Sequence, residues 1–167
     1  SLASNYPGRG VTSNGYIPEG YQEPKYFNVI YIDPDYLETV GLELVRGRNF
    51  DADRKTDRKT YLINEAMARS LQWEEPIGKT IYRNDTRSII GVVEDFHFEP
   101  LSQEIKPLLF SMNQSWRDEK ALIRLQGDDV RKSLSAIQAT WEKLFGSEPL
   151  HYEFIDDTFA QVYHLDI

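Results

Sequence analysis

The chain has 167 residues, 19 Lys and Arg against 27 Asp and Glu, and a formal net charge of −8. Its basic residues are dispersed, and Arg54, Lys55, Arg58 and Lys59 alternate with Asp53 and Asp57, so the clustered cations that nucleic-acid binding requires are excluded and this segment reads as a solvated loop. The absence of cysteine excludes disulfides, thiolate metal sites and a Cys nucleophile, while 40% hydrophobic residues suffice for the core of one domain or of two small lobes. No run approaches the ~18 apolar residues of a membrane span. A processed protein and an excised fragment both account for a start at Ser1 without a signal-like segment.

Residues 5–24 carry Pro7, Gly8, Gly10, Gly15, Pro18, Gly20 and Pro24, a density that reads as loops and short extended pieces anchored by Tyr6, Tyr16 and Tyr21. Residues 26–32 are apolar and β-rich, a strand. Asp33 caps a short helix with Pro34 in its first turn, Leu37 and Val40 inward and Gly41 at its end. Residues 42–45 read as extended, 47–59 as a charged loop and 60–63 as a second strand. Asn64 caps a helix through Leu71, with Met67 and Leu71 on one face.

Pro76 and Gly78 mark a turn, and residues 79–83 and 88–93 flank Asn84-Asp85-Thr86-Arg87 as a hairpin. Residues 107–112 read as a strand, 113–120 as a polar loop holding Trp116, and 121–125 as a strand. Asp128 or Asp129 then caps the clearest helix, where Val130, Leu134, Ile137, Trp141 and Leu144 form one apolar stripe and Gly146 is the stop. The alternation of 151–155 predicts a strand, and a final helix starts at Asp156 with Phe159, Val162 and Tyr163 inward.

Reactive patterns are few. Gly78-Lys79-Thr80 lacks the glycine five positions earlier that a phosphate loop needs, since Trp73 stands there, so it is a turn. Glu94-Asp95-Phe96-His97 offers carboxylates beside an imidazole, but in an extended segment only Asp95 and His97 share a face. One carboxylate and one His do not complete a metal shell, and an Asp95–His97 contact shaping the strand exit is expected instead. His151 and His164 lack pairing patterns, and no Gly-x-Ser-x-Gly is present. The pairs Asp128-Asp129 and Asp156-Asp157 sit at helix starts, where capping accounts for them better than calcium. Asn84-Asp85-Thr86 and Asn113-Gln114-Ser115 match a sequon that arises easily by chance.

The order IDPDYLETVGLELVRGRNF, LINEAMARSLQWEEPIGKTI and IIGVVEDFHFEPLSQEIKPLLF, followed by ALIRLQGDDVRKSLSAIQATWEKLF and YEFIDDTFAQVYHLD, resembles the extracytoplasmic (periplasmic core) domain of MacB/FtsX-like ABC-transporter permeases. The resemblance runs from Tyr26 to Asp166. It implies an α+β fold: a porter-like sheet-and-helix lobe from residues 1–33 and 113–167, with residues 34–112 inserted as a mixed α/β lobe. It also implies an opening strand and helix ahead of 2–6, which this sequence does not contain.

The implied function is non-catalytic. The domain would sit on the extracytoplasmic (periplasmic) face of the inner membrane, between membrane helices of a dimeric, multi-pass permease. It would couple the motion driven by a cytoplasmic ABC ATPase to export, or to a periplasmic or outer-membrane partner protein. No catalytic, cofactor-binding or metal-binding residue and no nucleic-acid partner is expected; Trp116 and the tyrosines of 6–21 are the exposed aromatics that could meet a partner. Two alternatives stand beside it. One is a carbohydrate-binding module with Tyr6, Tyr16 and Tyr21 as a platform. The other is a small hydrolase using Asp95 and His97.

Overall fold

The computed structural model describes residues 1–6, 11–97, 104–112, 120–126 and 129–155. In chain order these hold β1 (Leu2–Ala3), β2 (Thr12–Pro18), β3 (Lys25–Ile32), α1 (Tyr36–Val40) and β4 (Leu44–Gly47), then a 3-10 turn (Lys55–Lys59). β5 (Thr60–Asn64), α2 (Glu65–Ser70), β6 (Thr80–Tyr82), β7 (Thr86–Val93), β8 (Leu108–Met112), β9 (Lys120–Ala121) and α3 (Val130–Phe145) follow. The fold is mixed α+β, one sheet with few helices.

The most apolar strands lie at the centre, as their sequences require. All five residues of β5 and all five of β8 are buried, and the two pair antiparallel. β3 runs parallel to β8 through five register pairs from Asn28–Leu108 to Ile32–Met112, and β5 runs parallel to β7. Such doubly covered strands read as near-continuous hydrophobic runs. β2 pairs with β3 through its first five residues and with β6 through Ile17 and Pro18. The order β2-β6-β7-β5-β8-β3 therefore closes on itself through β2, removing the open edges a flat sheet would expose. β4 pairs with the far half of β7, and β1 and β9 extend the sheet beyond β3.

Alternation sorts side chains into two apolar layers. Tyr16, Phe27, Val29, Tyr61, Ile63, Ile81, Ile89, Val92 and Leu109 face into the closed ring, where Met67 and Leu71 of the α2 segment join them. Ile30, Ile32, Leu62, Val93, Leu108, Phe110 and Met112 face outward under Tyr36, Leu37 and Phe50. A bulge keeps β7 in step. Tyr61 opposes Ile89 but Leu62 opposes Gly91, so Ile90 is the extra residue and Val92 turns inward while Val93 turns outward. Gly91 is required here because an added Cβ would lie 2.5 Å from the Arg48 carbonyl oxygen.

Several elements depart from the sequence expectation. Within the stretch read as loops and short extended pieces, residues 12–18 form one continuous seven-residue strand, because β3 presents an open backbone edge and Tyr16 finds an apolar interior. α1 starts at Tyr36, two residues after Pro34. The Asp33 carboxylate is drawn back toward β1, and the Asp33 backbone carbonyl accepts from Tyr36 N. The extended segment is 44–47 rather than 42–45, since Gly41 and Leu42 are still closing α1 with bonds to Leu37 O.

The charged segment before β5 is not simply solvated. It contains a 3-10 turn whose Asp57 is fully buried. β9 has two residues rather than five because β1, its partner, is only two residues long. Residues 151–154 form no strand; Tyr152 and Phe154 instead pack edge-on against each other. The final helix expected from Asp156, with Phe159, Val162 and Tyr163, lies outside the described residues, as do Trp116, Asp128, His164 and the second sequon.

Candidate functional site

Where the chain enters and leaves the body of the sheet, two short strands are tied side by side. Leu2 opposes Ala121 and Ala3 opposes Lys120 in antiparallel register, so Ser1 and Leu122 lie at the same end. Ser1 N donates to Leu122 O at 3.1 Å and Leu122 N donates to Ser1 O at 2.8 Å. Asp33 binds this pair to the sheet. Its carboxylate accepts from Leu2 N at 2.6 Å, Ser1 Oγ at 2.7 Å and Asp35 N at 3.2 Å. The sequence assigned Asp33 only a helix-capping role; a carboxylate on three donors from two elements is a junction.

Two further ties hold the outgoing chain. Arg124 Nη1 donates to the Glu38 carbonyl oxygen at the end of α1, at 3.0 Å. The Tyr6 hydroxyl bonds the Glu153 carboxylate, bringing the segment after α3 back onto the segment after β1. α3 itself begins as expected, with Asp129 accepting from Lys132 N at 3.0 Å. Its stripe is shallow: Leu134, Ile137 and Trp141 are half-buried, while Val130 and Leu144 are exposed. Trp141 packs against Phe145 at 4.3 Å between ring centroids and donates its Nε1–H to Glu148 O.

The remaining sequence-derived candidates are structural. Asp95 does not meet His97. It accepts from Ala66 N at 2.7 Å and pairs with Arg69, fixing the first turn of α2 from the end of the neighbouring strand β7, where a carboxylate suits free N–H groups. Glu94 accepts from Glu43 N at 2.9 Å. The carboxylate that the hydrolase alternative needs is therefore held by α2. Among the described residues no group of three His, Asp or Glu converges.

The three tyrosines form no platform. Tyr6 is buried in the outer layer and Tyr16 in the inner one, while the Tyr21 hydroxyl donates to Leu71 O at 3.2 Å. They anchor their segment to the body. Gly78 sits in a turn at φ +86° that leads into β6, as a false phosphate loop should. Asn84 of the first sequon is exposed at the β6–β7 turn.

The charged loop held the least visible feature. Asp57 accepts two bonds from Arg48, at 2.6 and 2.8 Å, and a third from Asp51 N at 3.0 Å. The Arg48 guanidinium holds this carboxyl below the usual carboxylate range, and the bond in turn raises Arg48. The pair pins residues 48–60 over the outer layer through Phe50.

The model of the MacB-like periplasmic core domain matches residues 5–139, and the chain belongs to that family. It is thus a periplasmic core domain of the kind found in MacB-like ABC-transporter permeases, which work with an ATPase. The fold is similar to the periplasmic region of MacB from Actinobacillus actinomycetemcomitans, at 19% identity and a TM-score of 0.64, over 98% of this chain and 75% of that one. It is also similar to a domain of a protein described as a permease from Porphyromonas gingivalis, at 21% identity and a TM-score of 0.60, over 86% of this chain and 62% of that one. No curated protein matches the chain. Among the described residues no helix is long and apolar enough to cross a membrane.

Proposed function

We propose that this domain transmits ATP-driven motion of membrane helices to an exported substrate or to a periplasmic or outer-membrane partner protein, without chemistry of its own. The observation that carries the reading is the β1–β9 junction. A displacement applied to β1 passes to β9 through paired backbone bonds, and to the end of β3 through Asp33, rather than through a flexible link. The full-length subunit would be a dimeric, multi-pass permease of the inner membrane.

We also propose that residues 34–112 are an insertion between 1–33 and 113–167. Ile32 and Met112, at its two boundaries, are Cα partners in the β3–β8 ladder, so the insertion departs and returns at one place. The same ladder welds it to the body.

The reading frame that encodes the chain gives the test. An apolar run of about 20 residues on each side of this domain is expected. A frame with a signal peptide before it and a stop soon after it would sink the reading.

A further inference from the structure

The closed ring has two unlike ends. At one, Met67 and Leu71 close the interior with apolar side chains, and Trp73 and Tyr21 pack beside them. At the other, every strand of the ring points a polar side chain inward or at the rim. Tyr31 of β3, Ser111 of β8 and Tyr61 of β5 stand at one level, because Tyr31 is the register partner of Ser111 and Ser111 of Tyr61. Arg87 of β7, Arg83 just past β6, and Asn14 and Tyr16 of β2 complete the circuit.

Contacts show that these groups converge. Arg87 lies over the Tyr61 ring at 5.2 Å and Arg83 over the Tyr16 ring at 5.5 Å, while the two rings meet edge-on at 6.1 Å. Arg83 Nη2 donates to Asn14 Oδ1 at 2.9 Å. Arg87 donates through Nε to Asp85 at 2.8 Å and through Nη1 to Ser111 Oγ at 3.4 Å. Burial raises the Tyr16 hydroxyl and pushes Tyr61 up to about 12, so these two phenols stay protonated donors.

Packing alone does not ask for this arrangement. The interior positions below it on the same strands are Val29, Leu109, Ile63, Ile89 and Ile81. At the rim the alternation continues, but apolar residues give way to Tyr, Ser, Tyr, Arg and Arg. Among the described residues the rim brings together two guanidiniums, Arg83 and Arg87, and one carboxylate, Asp85, which pairs with Arg87. Each guanidinium lies on an aromatic face, the bonds to Asp85, Ser111 and Asn14 use only part of its N–H donors, and Arg offers a planar fork matched to a carboxylate. Arg87 is one-fifth exposed and Arg83 is exposed, so the fork is reachable from solvent.

We propose that this end of the ring is a carboxylate-binding site, with Arg83 and Arg87 as the paired donors and the rim hydroxyls as supporting ones. The ligand is a small or peptide-borne carboxylate, and the inference stands independently of the coupling role.

The test is a titration of the 167-residue chain with succinate, and separately with phosphate, at constant ionic strength, following arginine Nε–Hε signals by NMR. Saturable shifts of the Arg83 and Arg87 signals with succinate are expected, while Arg46 of β4, which pairs with the far half of β7, stays still. Arg87→Gln and Arg83→Gln should each weaken binding at least tenfold, and Arg46→Gln should leave it unchanged. Shifts that do not saturate, or that persist in both rim variants, overturn the site. Tighter binding of phosphate than of succinate overturns the carboxylate assignment.

Discussion

The Arg48–Asp57 pair gives the sharpest energetic expectation. The Asp57 side chain has no accessible surface, while that of Arg48 is 40% exposed. Removing one partner of a buried pair costs about 3–5 kcal/mol, chiefly through the charge left behind. The two single variants should therefore differ. Asp57→Ala leaves a guanidinium that water can reach, so the cost is discounted to about 2 kcal/mol. Arg48→Met leaves a carboxylate with no access to water and one backbone donor, Asp51 N, so about 3–4 kcal/mol is expected at neutral pH. For a chain of this size these correspond to falls in Tm of about 4–8 °C and 6–16 °C.

Acid should reveal the same pair. Bonding to Arg48 lowers the Asp57 carboxyl in the folded state, so its stabilisation is fully present above the ordinary carboxylate pKa and is lost as pH falls through the lowered folded value. The Tm of the wild type should thus fall more steeply below about pH 4 than that of Asp57→Ala. Calorimetry between pH 7 and pH 2 reads both effects. Equal Tm values for the two variants at pH 7, or parallel acid profiles for wild type and Asp57→Ala, would refute the reasoning.

Three further outcomes are expected from urea denaturation. Gly47→Ala places a Cβ 2.2 Å from the Ile90 carbonyl oxygen at φ +74° and should cost more than about 3 kcal/mol, whereas Gly78→Ala, at φ +86° in open space, should cost only about 1–2 kcal/mol. Asn64→Ala should cost about 2–4 kcal/mol, because its buried amide accepts from Met67 N and Leu108 N and donates to Lys106 O, joining α2 to β8. Tyr36→Phe should be neutral or stabilise by up to about 1 kcal/mol, since the buried Tyr36 hydroxyl has no partner among the described residues and burial holds it protonated.

What the sequence disclosed follows from what local patterns encode. β5 and β8 were legible because fully covered strands are written as apolar runs, β3 and β7 because their half-covered runs are still β-rich, and α2 because Asn64 caps it as its position suggests. β2 was not, since Thr12–Pro18 holds Asn, Gly and Pro and becomes a strand only because β3 and β6 supply its partners. Asp57 looked like one acid in a charged run; its burial depends on Arg48, nine residues earlier, curling over it. Asp95 suggested chemistry beside His97, and its true partners, Ala66 and Arg69, lie across a strand pairing that no short motif records. The polar rim was invisible for the same reason. Its residues come from six strands and meet only when the ring closes.

The transmission role is tested most directly by hydrogen exchange on the full-length permease with its ATPase, in lipid nanodiscs, with and without ATP and a hydrolysis-deficient ATPase. Nucleotide-dependent exchange is expected at the β1–β9 junction, in residues 1–3 and 120–122, while the central strands β5 and β8 stay equally protected in both states. Identical exchange at the junction with and without ATP would contradict the account.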